Sequence, residues 1–288
     1  MELGRVGVWN IGLRSEDPDA RGEIADAAAE LEELGYGAIW LGGSPGVQHA
    51  VPLIVATSRI VVATGILNIW EHDAATVARQ HTELTSEHPG RFLLGLGVSH
   101  SAMVPNYRHP YSAMVEYLDA LDAAAPAVPK NERVLAALGP KMLELARDRA
   151  LGAHPYLVTP EFVSHARETL GRAPLLAPEA KVVVEADPGR ARALARKHLA
   201  IYLQMENYTR NLLRLGFTED DLREGGSDRL IDSCFAWGDL DTIRKRIAAF
   251  HDAGADHVAV QVIAGGDRMN LPRREWRELA GALGLPSA

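Results

Sequence analysis

The sequence is short of the residues that staple chains, span membranes or hold polyanions. Its one cysteine, Cys234, leaves no partner for an internal disulfide, which fits a reducing compartment, and a cytoplasmic protein is expected. Lysine and arginine number 30 against 38 aspartates and glutamates, a net charge of −8. That charge is interspersed along the chain, so no basic face for nucleic acid is expected. No run approaches the ~20 apolar residues that cross a bilayer, and no membrane partner is expected. The opening "MELGRVGVWN" is too charged for a signal peptide. No two histidines near the ends of the apolar runs have metal-ligand spacing, and no carboxylate pair stands there. Metal-assisted hydrolysis and glycoside cleavage are therefore disfavoured, and no metal is expected.

What is present is a regular alternation. The chain has 288 residues, 47% of them hydrophobic, and short β-rich runs take turns with helical stretches. Eight runs read as strands: 5–9, 38–42, 59–68, 91–97, 133–139, 152–158, 180–186 and 256–263. They are continuous in valine, isoleucine and leucine, as strands buried on both faces are. Helix starts are marked by "TPE" at 159–161 and "DP" at 187–188, a capping residue followed by proline. "ELGYGAIW" and "DAGADHVAV" each place a glycine where a helix ends and a strand follows. The pattern predicts an α/β protein, a (β/α)8 TIM barrel in a single domain over 1–288. A doubly wound open sheet is the alternative. Residues of about 201–235 read as a helical insertion before the last βα unit.

The stretch "RFLLGLGVSH" (91–100) stops at glycines and runs into polar atoms. As a dinucleotide loop it lacks the third glycine, and it follows the fourth strand rather than the first. As a nucleophile turn, "GVSHS" has Ser101 where G-x-S-x-G needs glycine, with Asp256 and His257 as downstream partners. As the floor of a pocket, it joins the other residues just past the strands: Asn10, Gly43, Ser44, Asn68, Ser99, His100, Gly139 to Met142, and His154 to Tyr156. Small residues, backbone donors and neutral hydrogen-bonders suit a large cofactor that carries its own chemistry. In "LGPKMLELA" a strand leads through glycine into a helix N-terminus, so the amides of Lys141 and Met142 could face a phosphate. Lys141 reads equally well as a solvated first-turn lysine.

These segments, in this order, resemble the bacterial luciferase-like monooxygenase superfamily, in its actinobacterial F420-dependent oxidoreductase branch. The resemblance covers nearly the whole chain. It rests on "LEELGYGAIWLGGS" (31–44), "RIVVATGILNIW" (59–70), "HPGRFLLGLGVSH" (88–100), "ALGPKMLELA" (137–146), "HPYLVTPE" (154–161) and "AWGDLDTIRKRIAAFHDAGADHVAVQV" (236–262). It implies a barrel that binds coenzyme F420, or FMN as the alternative, at the carboxyl ends of its strands. The implied cofactor contacts are Thr64, Gly65, Ile66 and Asn68, with a cis peptide at Gly65–Ile66. Gly97, Val98 and Ser99 follow as a wall, Gly139, Pro140, Lys141 and Met142 as a phosphate site, and His154 and Tyr156 alongside. Two departures bear on the reaction. Sugar-phosphate dehydrogenases of the superfamily carry an Asp-His pair where this chain has Gly43-Ser44, and a glutamate where it has His100. A sugar phosphate is therefore not expected, and His100, with a near-neutral intrinsic pKa, becomes the candidate proton donor or substrate hydrogen-bonder. Tyr202, Asn207, Tyr208 and Asn211 are candidates for capping the pocket. The function implied is hydride transfer between F420 and a small organic substrate. An FMN-dependent monooxygenase, a serine hydrolase acting through Ser99 and a non-catalytic binding barrel stand as alternatives. A homodimer is expected, as is frequent in the superfamily.

Overall fold

In the computed structural model, which describes residues 1–14, 16–105 and 107–286, the apolar runs form short parallel strands. They are Val6–Asn10 (β1), Ala38–Leu41 (β2), Val61–Thr64 (β3), Leu67–Asn68 (β4), Phe92–Gly97 (β5) and Arg133–Leu135 (β6). Gly152–Ala153 (β7), Leu175–Leu176 (β8), Glu179–Val184 (β9), Phe235–Gly238 (β10) and Val258–Val262 (β11) follow. Every residue of β1, β2, β3 and β5 is buried, the result of covering both faces of the sheet with helices.

Pairing follows the order β10-β9-β11-β1-β2-β3-β5-β6-β7-β8, with β4 joined to β5, and each registered pair is parallel. The sheet curls so that β8 approaches the segment before β11. Leu176 pairs with Ala153 on one side, and its carbonyl accepts the Asp256 amide on the other at 2.9 Å. The Ala259 amide reaches the Pro178 carbonyl at 2.9 Å as part of the β9–β11 pairing. The result is a curled parallel α/β sheet rather than an open doubly wound one.

The helices are Arg21–Glu33 (α1), Val51–Val55 (α2), Ala74–Glu87 (α3), Pro110–Ala123 (α4), Pro140–Arg149 (α5), Pro160–Leu170 (α6), Pro188–Leu199 (α7), Glu206–Arg214 (α8), Asp228–Cys234 (α9), Leu240–Asp252 (α10) and Arg273–Leu283 (α11). Their starts are where the capping residues place them. Thr159 accepts the Phe162 amide and Asp187 the Arg190 amide, each cap contributing ~1 kcal/mol. After α1 and α10, Gly35 and Gly254 adopt φ of +85° and +109°, which a side chain at either position would strain.

These elements differ from the pattern read in the sequence at several points: Leu175–Leu176 (β8) lies in none of the eight runs, and the run 133–139 is a strand only over Arg133–Leu135. The run 59–68 is split at Gly65 and Ile66 into β3 and β4. The run 152–158 is a strand only over Gly152–Ala153, after which Leu157 turns to φ +55°. Residues 235–238 form β10, paired with β9. A whole βα unit, β10 and α10, thus stands between the segment of about 201–235 and the last unit. That segment holds α8, α9 and two short 3-10 turns. Its apolar side chains, including Tyr202, Met205, Leu212, Leu230 and Phe235, pack in one cluster with Leu157, Leu199 and Ile263. That cluster seats the helices over the carboxyl end of the sheet. Among the described residues no helix is long and apolar enough to cross a membrane.

Candidate active site

Beyond the carboxyl ends of the strands lies a cavity of about 1440 Å³. Gly65, Ile66, Asn68, Gly97, Val98, Ser99 and His100 line it from the β3–β5 side. Gly139, Pro140, Lys141, Met142, His154 and Tyr156 do so from the α5 and β7 side. Of the cofactor contacts implied by the resemblance, Thr64 alone stands outside this lining. Its hydroxyl donates to the Gly95 carbonyl and accepts the Gly95 amide, both at 2.8 Å, which locks β3 to β5.

The floor is built by close approach. The Gly65–Ile66 peptide is cis, and Trp9 donates its Nε1–H to the Gly65 carbonyl at 2.9 Å. A Cβ on Gly65 would lie 2.9 Å from Trp9 Nε1 and 3.4 Å from His154 Nε2, and one on Gly97 would lie 2.4 Å from Ile66 Cδ1. His154 stacks on Trp40 with ring centroids 4.0 Å apart. Its Nδ1 faces the Ala177 carbonyl at 2.7 Å, so the proton belongs on Nδ1 and Nε2 is a lone-pair acceptor. That Nε2 is buried with no partner. Desolvation pushes the His154 pKa down to about 3, so the ring is neutral at physiological pH.

His100 follows Ser99, which holds φ +56°, a left-handed conformation rare for a non-glycine residue and concentrated at functional sites. The Asn207 amide reaches both the Ser99 carbonyl and His100 Nδ1 at 3.4 Å, and the Tyr208 ring lies 4.8 Å away. Burial drives the His100 pKa to about 4. The near-neutral value expected for it is therefore corrected downward: at pH 7 it is an uncharged hydrogen-bonder. Of the capping candidates, Tyr202, Asn207 and Tyr208 line the cavity. Asn211 does not; it is buried with its Nδ2 unpartnered.

A hydrolase arrangement around Ser99 is not assembled among the described residues. His257 sits before β11, at the opposite end of the strands, where it takes the Trp40 Nε1–H at 3.0 Å and faces the Gly4 carbonyl. No cluster of three or more histidine, cysteine, aspartate or glutamate side chains that could hold a metal occurs among the described residues.

Gln261, Lys181, Glu71 and Arg214 are not singled out in the sequence, though they stand at or behind the residues that are. Tyr156 donates to Gln261 at 2.8 Å and shares a 2.7 Å hydrogen bond with Tyr202. Behind it, Lys181 Nζ lies 3.6 Å from the Tyr156 ring centroid. Glu71, also lining the cavity, accepts from Ser44 at 2.5 Å and Asn68 at 2.9 Å. Arg214 lines it beside the start of α5, its Nη1 3.6 Å from where a Gly139 Cβ would lie. The one clue available was a lysine and a glutamate inside the otherwise small and apolar "EAKVVV".

A glycine-built floor, the orphan Nε2 of His154 and the start of α5 surround one cavity. Residues 1–257 match the family described as luciferase-like monooxygenase. The chain belongs to this family. A protein of Mycobacterium tuberculosis named as a coenzyme F420-dependent oxidoreductase is 22% identical, over 92% of this chain and 95% of its own length. Among solved structures, an F420-dependent secondary alcohol dehydrogenase in complex with an F420-acetone adduct superimposes with TM-score 0.73 at 14% identity, covering 98% of this chain and 99% of that one. The oxygenating constituent of 3,6-diketocamphane monooxygenase from Pseudomonas putida, in complex with FMN, gives TM-score 0.67 at 14% identity over 98% and 97%. At such identities these structures speak to the fold.

Proposed function

We propose that this luciferase-like protein is an F420-dependent oxidoreductase that moves hydride between the deazaflavin and a small organic substrate. The observation that carries the proposal is the floor: Gly65 and Gly97 hold side chains off a flat surface, and beside it His154 presents an unpaired acceptor. A cavity of about 1440 Å³ has room for a tricyclic ring and a second molecule. The ring would rest on Gly65, Ile66 and Asn68 against Gly97, Val98 and Ser99, its phosphate toward Gly139, Pro140, Lys141, Met142 and Arg214. Thr64 would serve indirectly, by holding β3 against β5.

Bound F420 supplies the hydride-carrying carbon; orientation and shielding fall to the protein. His100 is assigned to the substrate oxygen, as a neutral hydrogen-bonder held by Asn207. Tyr156 stays protonated, because burial raises its pKa well above the phenol range, and keeps its hydroxyl engaged with Tyr202 and Gln261. The eight-stranded (β/α)8 barrel, the single domain over 1–288, the insertion of about 201–235, the cytoplasmic setting and the homodimer belong to the same proposal.

The FMN-bound relative in fold supports FMN as the alternative cofactor. Titration of cofactor-free protein with F420 and, separately, FMN, followed by cofactor fluorescence, tests the reading. Micromolar affinity for F420 with much weaker binding of FMN is expected. Preference for FMN would move the protein to the monooxygenase side, and binding of neither would overturn the proposal.

A further inference from the structure

Arginines of this chain that are at least partly buried have their guanidinium groups engaged, as Arg91, Arg133, Arg167 and Arg192 show. Among the described residues Arg14 is the exception. It is half-buried and lines the cavity, and its Nε is buried with no hydrogen-bond partner. A guanidinium cannot shed its charge, and its donors lie in a rigid fork. Burying the Nε donor without an acceptor is unfavourable, and an anionic ligand in the cavity would supply the missing partner.

The surrounding turn fixes where Arg14 stands. The Leu13 amide donates to Asn10 Oδ1 at 3.1 Å. Gly12 lies so close to the loop after β11 that a Cβ would sit 2.1 Å from the Met269 carbonyl. Gly43, at φ +73°, packs closely against this turn; a Cβ there would lie 3.0 Å from Arg14 Nε and 2.6 Å from Ile11 Cδ1. Sheet order then separates Arg14 from the start of α5. Arg14 and Gly43 follow β1 and β2, α5 follows β6, and β3 and β5 lie between them. The two cationic flanks stand on either side of the Gly65–Ile66 floor, so a cofactor phosphate at α5 leaves Arg14 free.

We infer that Arg14 recognises a carboxylate on the substrate, and that the substrate class is small organic monoanions. The inference rests on the cavity being the reaction site proposed above. A planar carboxylate matches the guanidinium fork with two parallel hydrogen bonds, and its single charge is balanced by the single guanidinium.

Two probes that differ only in the charged end, 4-oxopentanoate and pentan-2-one, test this by calorimetric titration of the cofactor-free protein and of protein mixed with F420. The wild type is expected to bind 4-oxopentanoate about tenfold or more tighter than pentan-2-one. R14M should abolish that preference while leaving the affinities for pentan-2-one and F420 unchanged, and R14K should keep part of it. R14M should also melt at or above the wild-type temperature without ligand, since it removes an unpaired donor. Equal affinities in the wild type, no detectable binding of either probe, or a preference that survives R14M would overturn the inference. If the Arg14-dependent preference is present but F420 does not bind, the cofactor reading falls and the carboxylate site stands. If F420 binds without that preference, the reverse holds.

Discussion

Lys181 and Glu179 are bonded at 2.8 Å, and neither side chain has any exposed surface. They stand two apart on β9 and so share a face of the sheet. Glu179 also accepts the Leu157 amide at 3.1 Å, and Lys181 rests on the Tyr156 ring. The pair thus ties the chain after β7 to the cavity wall. Desolvation raises the Glu179 pKa and lowers that of Lys181, and the attraction of each for the other opposes both shifts.

Breaking the pair from one side should therefore cost more than removing it. K181M leaves a buried carboxylate uncompensated and is expected to lose ~3–5 kcal/mol of stability. Adding E179Q to K181M should restore much of that loss. Urea unfolding of the wild type, the single variant and the double variant measures it. A double variant as unstable as K181M would show that packing, not charge, is what Lys181 supplies.

Two glycines on β5 should separate stability from binding. A Cβ on Gly95 would fall 1.9 Å from the Thr64 carbonyl, which is backbone and cannot yield, whereas one on Gly97 meets side-chain atoms, Ile66 Cδ1 and Cγ1 and, at 3.3 Å, Ala136 Cβ. G95A is expected to destabilise by roughly 3 kcal/mol or more. G97A should cost ~1 kcal/mol or less in stability, because Ile66 can swing, but it swings into the cavity and should weaken cofactor binding about tenfold. Denaturation midpoints and F420 titration distinguish the two; a binding loss matched by an equal stability loss in G97A would refute the split.

Acid sensitivity should begin well above the carboxylate range. Burial lowers the pKa of His257 to about 4 and of His154 to about 3, whereas an unfolded histidine titrates near ~6.5. The unfolded chain therefore binds more protons below that value. The stability these groups contribute is complete above ~6.5 and is lost as pH falls through about 4 and then about 3. For His257 the conflict is explicit, since a proton on Nε2 would displace the Trp40 donor. Unfolding free energies should fall by up to about 1.4 kcal/mol per pH unit per fully neutral buried histidine between roughly pH 6.5 and 4.5. That window lies above the range where depressed carboxylates such as Glu32, at about 2, release their contribution. A flat profile across it would show that these rings do not stay neutral in the folded state.

How much of this was legible in the sequence follows from what each feature depends on. Strands such as "FLLGLG" announce themselves because a strand covered on both faces must be apolar throughout. β10 did not, because "FAWG" is four residues with no β-branched side chain, and its partner β9 lies about fifty residues earlier. The floor glycines were legible because close approach admits nothing larger. Arg14, Glu71, Arg214 and the Lys181–Glu179 pair gain their meaning from partners or surroundings brought close by folding, as Ser44 is to Glu71 across 27 residues. No local pattern encodes that proximity, and Asn211, chosen for its helical spacing, points away from the cavity lining for the same reason.

The start of α5 offers the sharpest check on cofactor orientation. Gly139 caps the helix without a side chain, so its first amides have no side-chain partner at the cap, and Lys141, Arg210 and Arg214 line the cavity around them. These cations are exposed, so each contributes modestly and is screened by salt. R214Q is expected to weaken F420 and FMN alike by about 2–5-fold at low ionic strength, with a smaller effect at high salt. Riboflavin shares the FMN ring and lacks its phosphate, so its affinity should be unchanged by the substitution. If R214Q weakened riboflavin as much as FMN, the arginine would be acting on the ring or on the shape of the cavity, and the phosphate would have to be placed elsewhere.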